Sequence, residues 1–170
     1  MDYLKAHGHK KIAFIAPDTR QPEDATDTQE RQRFYKVWMQ KNFPEFEPLI
    51  TTYPFFEIQK SKQGLLMKLI RQGITAFLVP GEGVSASLYH SLNLQKIRIP
   101  EDVSIIGMEH DNISFALSPA ETTIGQNWEK LASSAFDVLE KINLKIPVQD
   151  LSIPFLLHER KSVADLKNND

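Results

Sequence analysis

Short apolar runs alternate with amphipathic stretches along the first 108 residues, and this alternation constrains the fold most strongly. The runs predict four strands, and the stretches between them have the periodicity of helices. Residues 75–79 show no polar alternation, as expected for a strand that is covered on both faces. The order β-α-β-α-β-α-β implies parallel strands joined by right-handed crossovers. The predicted strands are 11–16, 49–53, 75–79 and 103–108, and the predicted helices are 29–41, 59–72 and 84–94.

The sequence pattern predicts fewer helices and strands in the second half of the chain. Residues 110–121 are expected to form a loop, a helix is expected at about 128–142, and the last strand is expected at 154–158. The helix has a stripe of apolar residues at helical spacing. These residues are Trp128, Leu131, Ala132, Ala135, Leu139 and Ile142. The predicted fold class is therefore α/β, with an open parallel sheet flanked by helices.

Composition limits the possible classes of protein. The 170 residues are 41% hydrophobic and 25% charged, which suits one globular domain or a pair of small lobes. The net charge of -2 does not favour direct contact with nucleic acid. The absence of cysteine excludes disulfides and a cysteine nucleophile, and it is compatible with a cytoplasmic location. No stretch is apolar enough for a membrane span, and the first residues do not form a signal peptide.

No motif in the sequence predicts catalysis. Residues 81–83 (GEG) lack the third glycine and the Lys-Ser/Thr ending of phosphate-binding loops, so a strand-to-helix turn is the favoured interpretation. A Gly-x-Ser-x-Gly nucleophile elbow is missing, and the five histidines do not have metal-ligand spacing. We therefore expect no enzyme activity, no metal and no cofactor.

Aromatic and acidic residues follow the ends of the predicted strands. Phe55 and Phe56 follow the second strand, Glu82 the third and Glu109 the fourth. Open parallel sheets bind ligands at this edge, where rings can stack and carboxylates can accept hydroxyl protons. On the pattern alone, the alternative is favoured: the two phenylalanines are core residues and the two glutamates are solvated turn residues.

Several segments in a fixed order resemble the lac/galactose-repressor family. Residues 4–15 (LKAHGHKKIAFI) resemble its "hLi-GH--IafI" segment, and residues 99–107 (IPEDVSIIG) match "iPeDvSvvG" closely. Four weaker matches lie at residues 31–35, 73–77, 122–126 and 159–163. In this order they are similar to the family segments "R--GF", "pTAif", "lTTi-q" and "--RrSv".

The resemblance implies a periplasmic-binding-protein-like effector domain with two lobes, preceded by a DNA-binding helix-turn-helix. The chain begins where that family's second lobe begins, so the DNA-binding segment and most of the first lobe are expected to be absent. Residues 1–112 are then the C-terminal lobe and 113–150 the crossover and return helix of the missing lobe. Residues 151–163 form the returning strand and 164–170 a frayed tail. The implied protein is a cytoplasmic homodimer that senses a small molecule, of carbohydrate type, and contacts DNA only through the missing domain.

The resemblance also implies a set of pocket residues. Arg31 matches an arginine that grips effector hydroxyl or carboxylate groups, and Phe55 or Phe56 matches an aromatic residue of the cleft. Trp128 matches a stacking aromatic residue, next to Gln126 at a polar position. Two of these pocket positions depart from the family's usual residues, and they put the identity of the effector in doubt. Glu109 replaces the usual Asp, and Glu82 belongs to a Gly-Glu pair that replaces the usual Asn-Asp pair.

The helix at 84–94 is implied to form the homodimer interface, through Val84, Leu88 and Leu92. The alternative is that these residues only pack on the sheet. The helix at 128–142 poses a separate problem, because its apolar stripe loses its cover without a first lobe. Leaving four large side chains exposed forgoes on the order of 10 kcal/mol. We therefore expect this helix to dock on its own lobe or on another chain.

Three rival functions remain open at this point. The chain could be a dimerisation or interaction module with a vestigial pocket. It could be a flavodoxin-like enzyme or receiver domain, although the phosphate loop and acidic triad are missing. It could also be a transport binding protein, although an export signal is not visible.

Overall fold

The computed structural model describes residues 1–17, 26–53, 60–108 and 111–167. Six strands form one sheet in the order β2-β1-β3-β4-β5-β6. The strands are β1 (Ile12–Pro17), β2 (Leu49–Tyr53), β3 (Ala76–Val79), β4 (Ser104–Met108), β5 (Thr122–Gly125) and β6 (Leu156–His158). Strands β1 to β5 are parallel, and β6 pairs antiparallel with β5. The predicted α/β class and mostly parallel sheet are confirmed.

Helices cover both faces of this sheet. They are α1 (Asp2–Ala6), α2 (Thr26–Asn42), α3 (Lys60–Arg71), α4 (Glu82–Leu94), α5 (Asp111–Ala116) and α6 (Trp128–Asn143). Phe77 and Ile105 point to one face, where they pack with residues of α3 and α4. Phe14 and Leu78 point to the other face, where they pack with residues of α1 and α2. Within the described ranges, every helix is too short or too polar to cross a bilayer.

The stretch from 111 to 125 differs from the prediction. Residues 111–116, within the loop predicted at 110–121, form α5. Residues 122–125, for which no element was predicted, form β5, which pairs with β4 in the same sheet. The division into a lobe at 1–112 and a crossover with a return helix at 113–150 stays a prediction.

The C-terminal segment is also better fixed than expected. Ala164 N donates a hydrogen bond to Ser104 Oγ (2.9 Å), and Leu166 N donates to His7 O (2.9 Å). His9, which is buried, lies with its Nε2 3.1 Å from Ala164 O. The prediction of a frayed tail is therefore wrong for residues 164–167, because their backbone bonds to the first turn of the chain and to β4.

Helix α6 is exposed along its apolar stripe. Trp128 is 63% exposed and Leu139 61%, and Ser134 is the buried residue of the helix. The expectation that α6 docks on its own lobe is therefore wrong for this fold. Its apolar side chains belong to neither of the two core clusters. Docking on another chain stays a prediction.

Candidate functional site

The carboxyl ends of the parallel strands form the candidate site. Pro17 of β1 pairs with Tyr53 of β2, and Val79 of β3 pairs with Gly107 of β4, so these four strands end at one edge. The chain leaves β5 at the same edge, at Gly125. An open parallel sheet offers its ligand crevice at this edge.

Three of the predicted pocket residues cannot be placed. Phe55, Phe56 and Glu109 lie outside the described residues. Glu82 begins α4 directly after Gly81, as expected for a residue that follows the end of β3, but its side chain is likewise not described. The predicted juxtaposition of these side chains therefore stays a prediction.

Arg31 reaches the strand-end edge. It lies on the second turn of α2, which returns from the end of β1, and its Nη1 donates a hydrogen bond to Pro80 O (3.1 Å). Pro80 is the first residue after β3. The guanidinium therefore lies where the chain turns from β3 into α4, and a planar guanidinium is a group that suits hydroxyl or carboxylate oxygens.

Gln126 and Trp128 lie where the chain leaves β5. Gln126 is half-buried and borders a shallow hollow of about 190 Å³ together with Leu131, Leu151 and Phe155. The side chain of Asn127 caps α6, because its Oδ1 accepts a hydrogen bond from Lys130 N (2.9 Å). Since β5 is two strands away from β3, roughly 10 Å separates this corner from Pro80. Trp128 is 63% exposed, and its place in a pocket with Arg31 stays a prediction.

The three residues implied for the dimer interface lie inside the core. Val84, Leu88 and Leu92 are fully buried, and they pack with Phe77 and Ile105 on the sheet. They cannot contact a partner directly, so the alternative stated in the sequence analysis applies: these residues pack on the sheet. The opposite side of α4 borders an open groove of about 880 Å³. Its lining includes Ala86, His90, Asn93, Leu117 and Pro119.

A buried glutamate close to this edge was missed by the sequence analysis. Glu121, directly before β5, is 2% exposed. Its Oε1 accepts a hydrogen bond from Ser85 Oγ of α4 (2.8 Å), and its Oε2 accepts one from Ser114 Oγ of α5 (3.3 Å). Gly107 of β4 lies so close that a Cβ built there would be 2.7 Å from the carboxyl carbon. The absence of a side chain at Gly107 makes room for the carboxyl group.

Burial sets the proton affinity of this carboxyl group. Loss of solvent raises the pKa of Glu121 to about 7, against the smaller lowering effects of Ser85, Ser114 and the charge of Arg160. Arg160 Nη1 donates to Glu121 O (2.7 Å) and to Thr123 Oγ1 (2.8 Å), and its guanidinium lies over the ring of Phe115 (4.7 Å). A carboxyl group that titrates near neutrality therefore lies under α4 and α5.

Metal binding has no support in the described part of the chain. No three histidine, aspartate or glutamate side chains there lie close enough together to hold a cation.

Comparison with known proteins gives the family. Residues 1–163 match the family described as periplasmic binding protein-like domain. The chain belongs to this family. The predicted relation to LacI/GalR-type regulators is confirmed by this match and by the repressors that are similar in sequence.

Two repressors show the sequence similarity. The HTH-type transcriptional repressor PurR of Photorhabdus laumondii is 31% identical over 168 residues, which are 96% of this chain and 48% of that protein. The ribose operon repressor of Lactococcus lactis is 24% identical over 152 residues, or 89% of this chain and 45% of that protein. The chain thus spans about half the length of these curated relatives.

Solved structures support the fold. The lac repressor dimer bound to operator and the anti-inducer ONPF matches with a TM-score of 0.69 and 22% identity, over 96% of this chain and 48% of that one. At this identity the likeness establishes the architecture and not the ligand.

Proposed function

We propose that the chain is the effector-sensing part of a transcriptional repressor and that it binds a small carbohydrate at the strand-end edge. The observation that carries the proposal is the position of Arg31, whose guanidinium lies at the turn from β3 into α4. A forked cation at the ligand edge of a parallel sheet suits hydroxyl-rich or anionic molecules. Similarity to a ribose operon repressor supports a sugar as the class of effector.

The proposed mechanism is a shift between two conformations, without bond chemistry. An effector that binds one lobe arrangement more tightly than the other changes the population of each, and only this difference in affinity has an effect. We propose no catalytic activity, since the relatives are repressors and catalysis has no role in such a shift. DNA contact is assigned to residues outside this chain, in line with its net charge of -2.

Homodimerisation is part of the proposal, but on a different surface of α4 from the one first expected. The open groove beside Ala86, His90 and Leu117 supports this choice, because its lining is partly apolar and borders α4 on the side away from the core. A self-complementary patch there closes under two-fold symmetry.

Calorimetric titration with D-ribose, D-glucose, D-galactose and their phosphates tests sugar binding. Arg31→Ala is expected to weaken binding of the sugar that binds by roughly 10- to 100-fold, because a charge-assisted hydrogen bond is lost. Arg33→Ala is the matched control, since Arg33 lies on the same helix, is exposed and pairs with Glu30. Binding by none of the sugars, or equal losses in the two variants, contradicts the proposal.

The alternative function is an interaction module with a vestigial pocket. Two observations favour it: Trp128 is exposed, and Arg31 already donates to the chain's own backbone. A stable dimer in sedimentation velocity, together with no binding of any sugar in the titration, supports this alternative.

A further inference from the structure

The carboxyl group of Glu121 joins two helices that follow neighbouring strands. Ser85 lies in the first turn of α4, after β3, and Ser114 lies in α5, after β4. Both helices begin at the strand-end edge. Helix α5 begins at Asp111, three residues after β4 ends at Met108. The side chain of Glu121 is therefore placed to control the geometry of the edge.

The groups around this carboxyl group come from each neighbouring element. Helix α4 contributes Ser85 and the buried Tyr89, whose pKa is raised by burial and, to a smaller extent, by the charge of Glu121. Helix α5 contributes Ser114, and the C-terminal segment contributes the positive charge of Arg160. Strand β4 contributes Gly107, which has no side chain. Among the described residues, the positive charge that faces the carboxyl group is that of Arg160, and burial outweighs it.

The two protonation states differ in how well this site accommodates them. An uncharged carboxyl group accepts from Ser85 through its carbonyl oxygen and donates its proton to Ser114 Oγ. An ionised carboxylate in the same place has lost nearly all its water, and two hydroxyl donors do not replace it fully. The charged form is therefore relieved when α5 moves away and lets solvent in.

We propose that Glu121 is a proton-dependent positioning residue: its uncharged carboxyl group holds α5 against the first turn of α4, and loss of the proton releases α5 and weakens effector binding. The effect on the effector rests on the proposed function. The release of α5 does not, so the two are tested separately.

The sign of the pH dependence follows from the raised pKa of Glu121. The folded chain binds this proton more tightly than the unfolded chain, where the pKa has its ordinary value of 4.5. The stabilisation is complete below that value and is lost as the pH rises through about 7. Above that pH, the folded chain carries an ionised, buried carboxylate.

Hydrogen exchange and thermal unfolding of the protein at pH 6 and pH 8 test the release of α5. After correction for intrinsic rates, amide protection in α5 is expected to fall by up to about tenfold at pH 8, and the unfolding midpoint by roughly 3–5 °C. Glu121→Gln keeps an acceptor for Ser85 and a donor for Ser114 without a charge, and it is expected to remove both changes. Glu140→Gln, at an exposed position on α6, is the matched control and is expected to keep both.

Two further measurements complete the test. If Glu121→Gln does not fold, carbon-13 NMR titration of the Glu121 carboxyl group in the unmodified protein decides. A midpoint near 7 supports the proposal, and a midpoint at or below 4.5 overturns it. Calorimetry with D-ribose, or with whichever sugar of the panel binds, is expected to show weaker binding at pH 8 than at pH 6, and Glu121→Gln is expected to abolish the difference.

The outcomes separate the two proposals. Equal pH dependence of exchange in the unmodified protein and in Glu121→Gln overturns the role of Glu121, whatever the sugars do. A release of α5 without binding of any sugar supports the role of Glu121 in α5 and counts against the proposed function alone. Sugar binding with the same pH dependence in both proteins overturns the link to the effector.

Discussion

At the scale of single residues, the side chain of Glu121 requires a glycine at position 107. A Cβ at this position would lie 2.7–2.8 Å from the carboxyl atoms of Glu121, which hydrogen bonds from two serines hold in place. We expect Gly107→Ala to lower the free energy of unfolding by roughly 1–3 kcal/mol, because a packed core yields to an added methyl group only by strain. Urea unfolding measures this change.

Gly64 provides the matched control for this substitution. It lies in α3, and an added Cβ there meets nothing within 4 Å. Gly64→Ala is expected to raise the free energy of unfolding by roughly 0.5–1 kcal/mol, since alanine restricts the unfolded chain and favours helix. If the two alanine variants are equally stable, the contact between Gly107 and Glu121 has been misjudged.

The residues of the candidate site were only partly accessible from the sequence. Arg31 came from the resemblance to the repressor family, and its contact with Pro80 agrees with a place at the ligand edge. Glu121 was missed, because a glutamate in a predicted loop has the pattern of a solvated residue. Its burial depends on Ser85, Ser114 and Gly107, which lie 7 to 36 residues away in the chain. The periodicity of a single sequence does not reveal contacts between residues that are distant in the chain.

At the scale of elements, Ser162 is a buried link between the C-terminal segment and the sheet. Ser162 is fully buried, and its Oγ donates to Ile105 O (2.6 Å) and accepts from Thr122 N (2.7 Å). We expect Ser162→Ala to lower the free energy of unfolding by roughly 1–3 kcal/mol, because two buried backbone groups lose their partner. Chemical denaturation measures the loss. Ser133→Ala, at an exposed position on α6, serves as the control, and equal losses in the two variants contradict the assignment.

Long apolar runs were the predictable elements. The strands β1 to β4 and the helices α2, α3, α4 and α6 lie within a few residues of their predicted bounds. The five residues of α1, the six of α5 and the four of β5 were missed. Such short segments carry too few apolar positions to show a period, and β5 (Thr122–Gly125) gains its strand form from pairing with β4. Tertiary pairing therefore decides the elements that local pattern does not.

At the scale of the whole molecule, the buried core between α4 and the sheet contributes more to stability than the exposed helix α6. Leu88 of α4 is fully buried, whereas Leu139 of α6 is 61% exposed. Leu88→Ala is expected to lower the free energy of unfolding by roughly 2–5 kcal/mol, because it opens a cavity. Leu139→Ala is expected to change it by less than about 0.5 kcal/mol, as is usual for an exposed position. Denaturant unfolding of both variants at matched concentration measures the difference.

The comparison of these two leucines also decides how α6 behaves in solution. If Leu139→Ala is nearly neutral, the helix is solvated as in the described fold, and its apolar stripe contributes nothing to the stability of the sheet. If Leu139→Ala costs as much as Leu88→Ala, α6 is covered in solution, and a loss that grows with protein concentration identifies the cover as another copy of the chain. Because the two substitutions delete the same atoms from two helices of the same chain, burial is the variable that separates them.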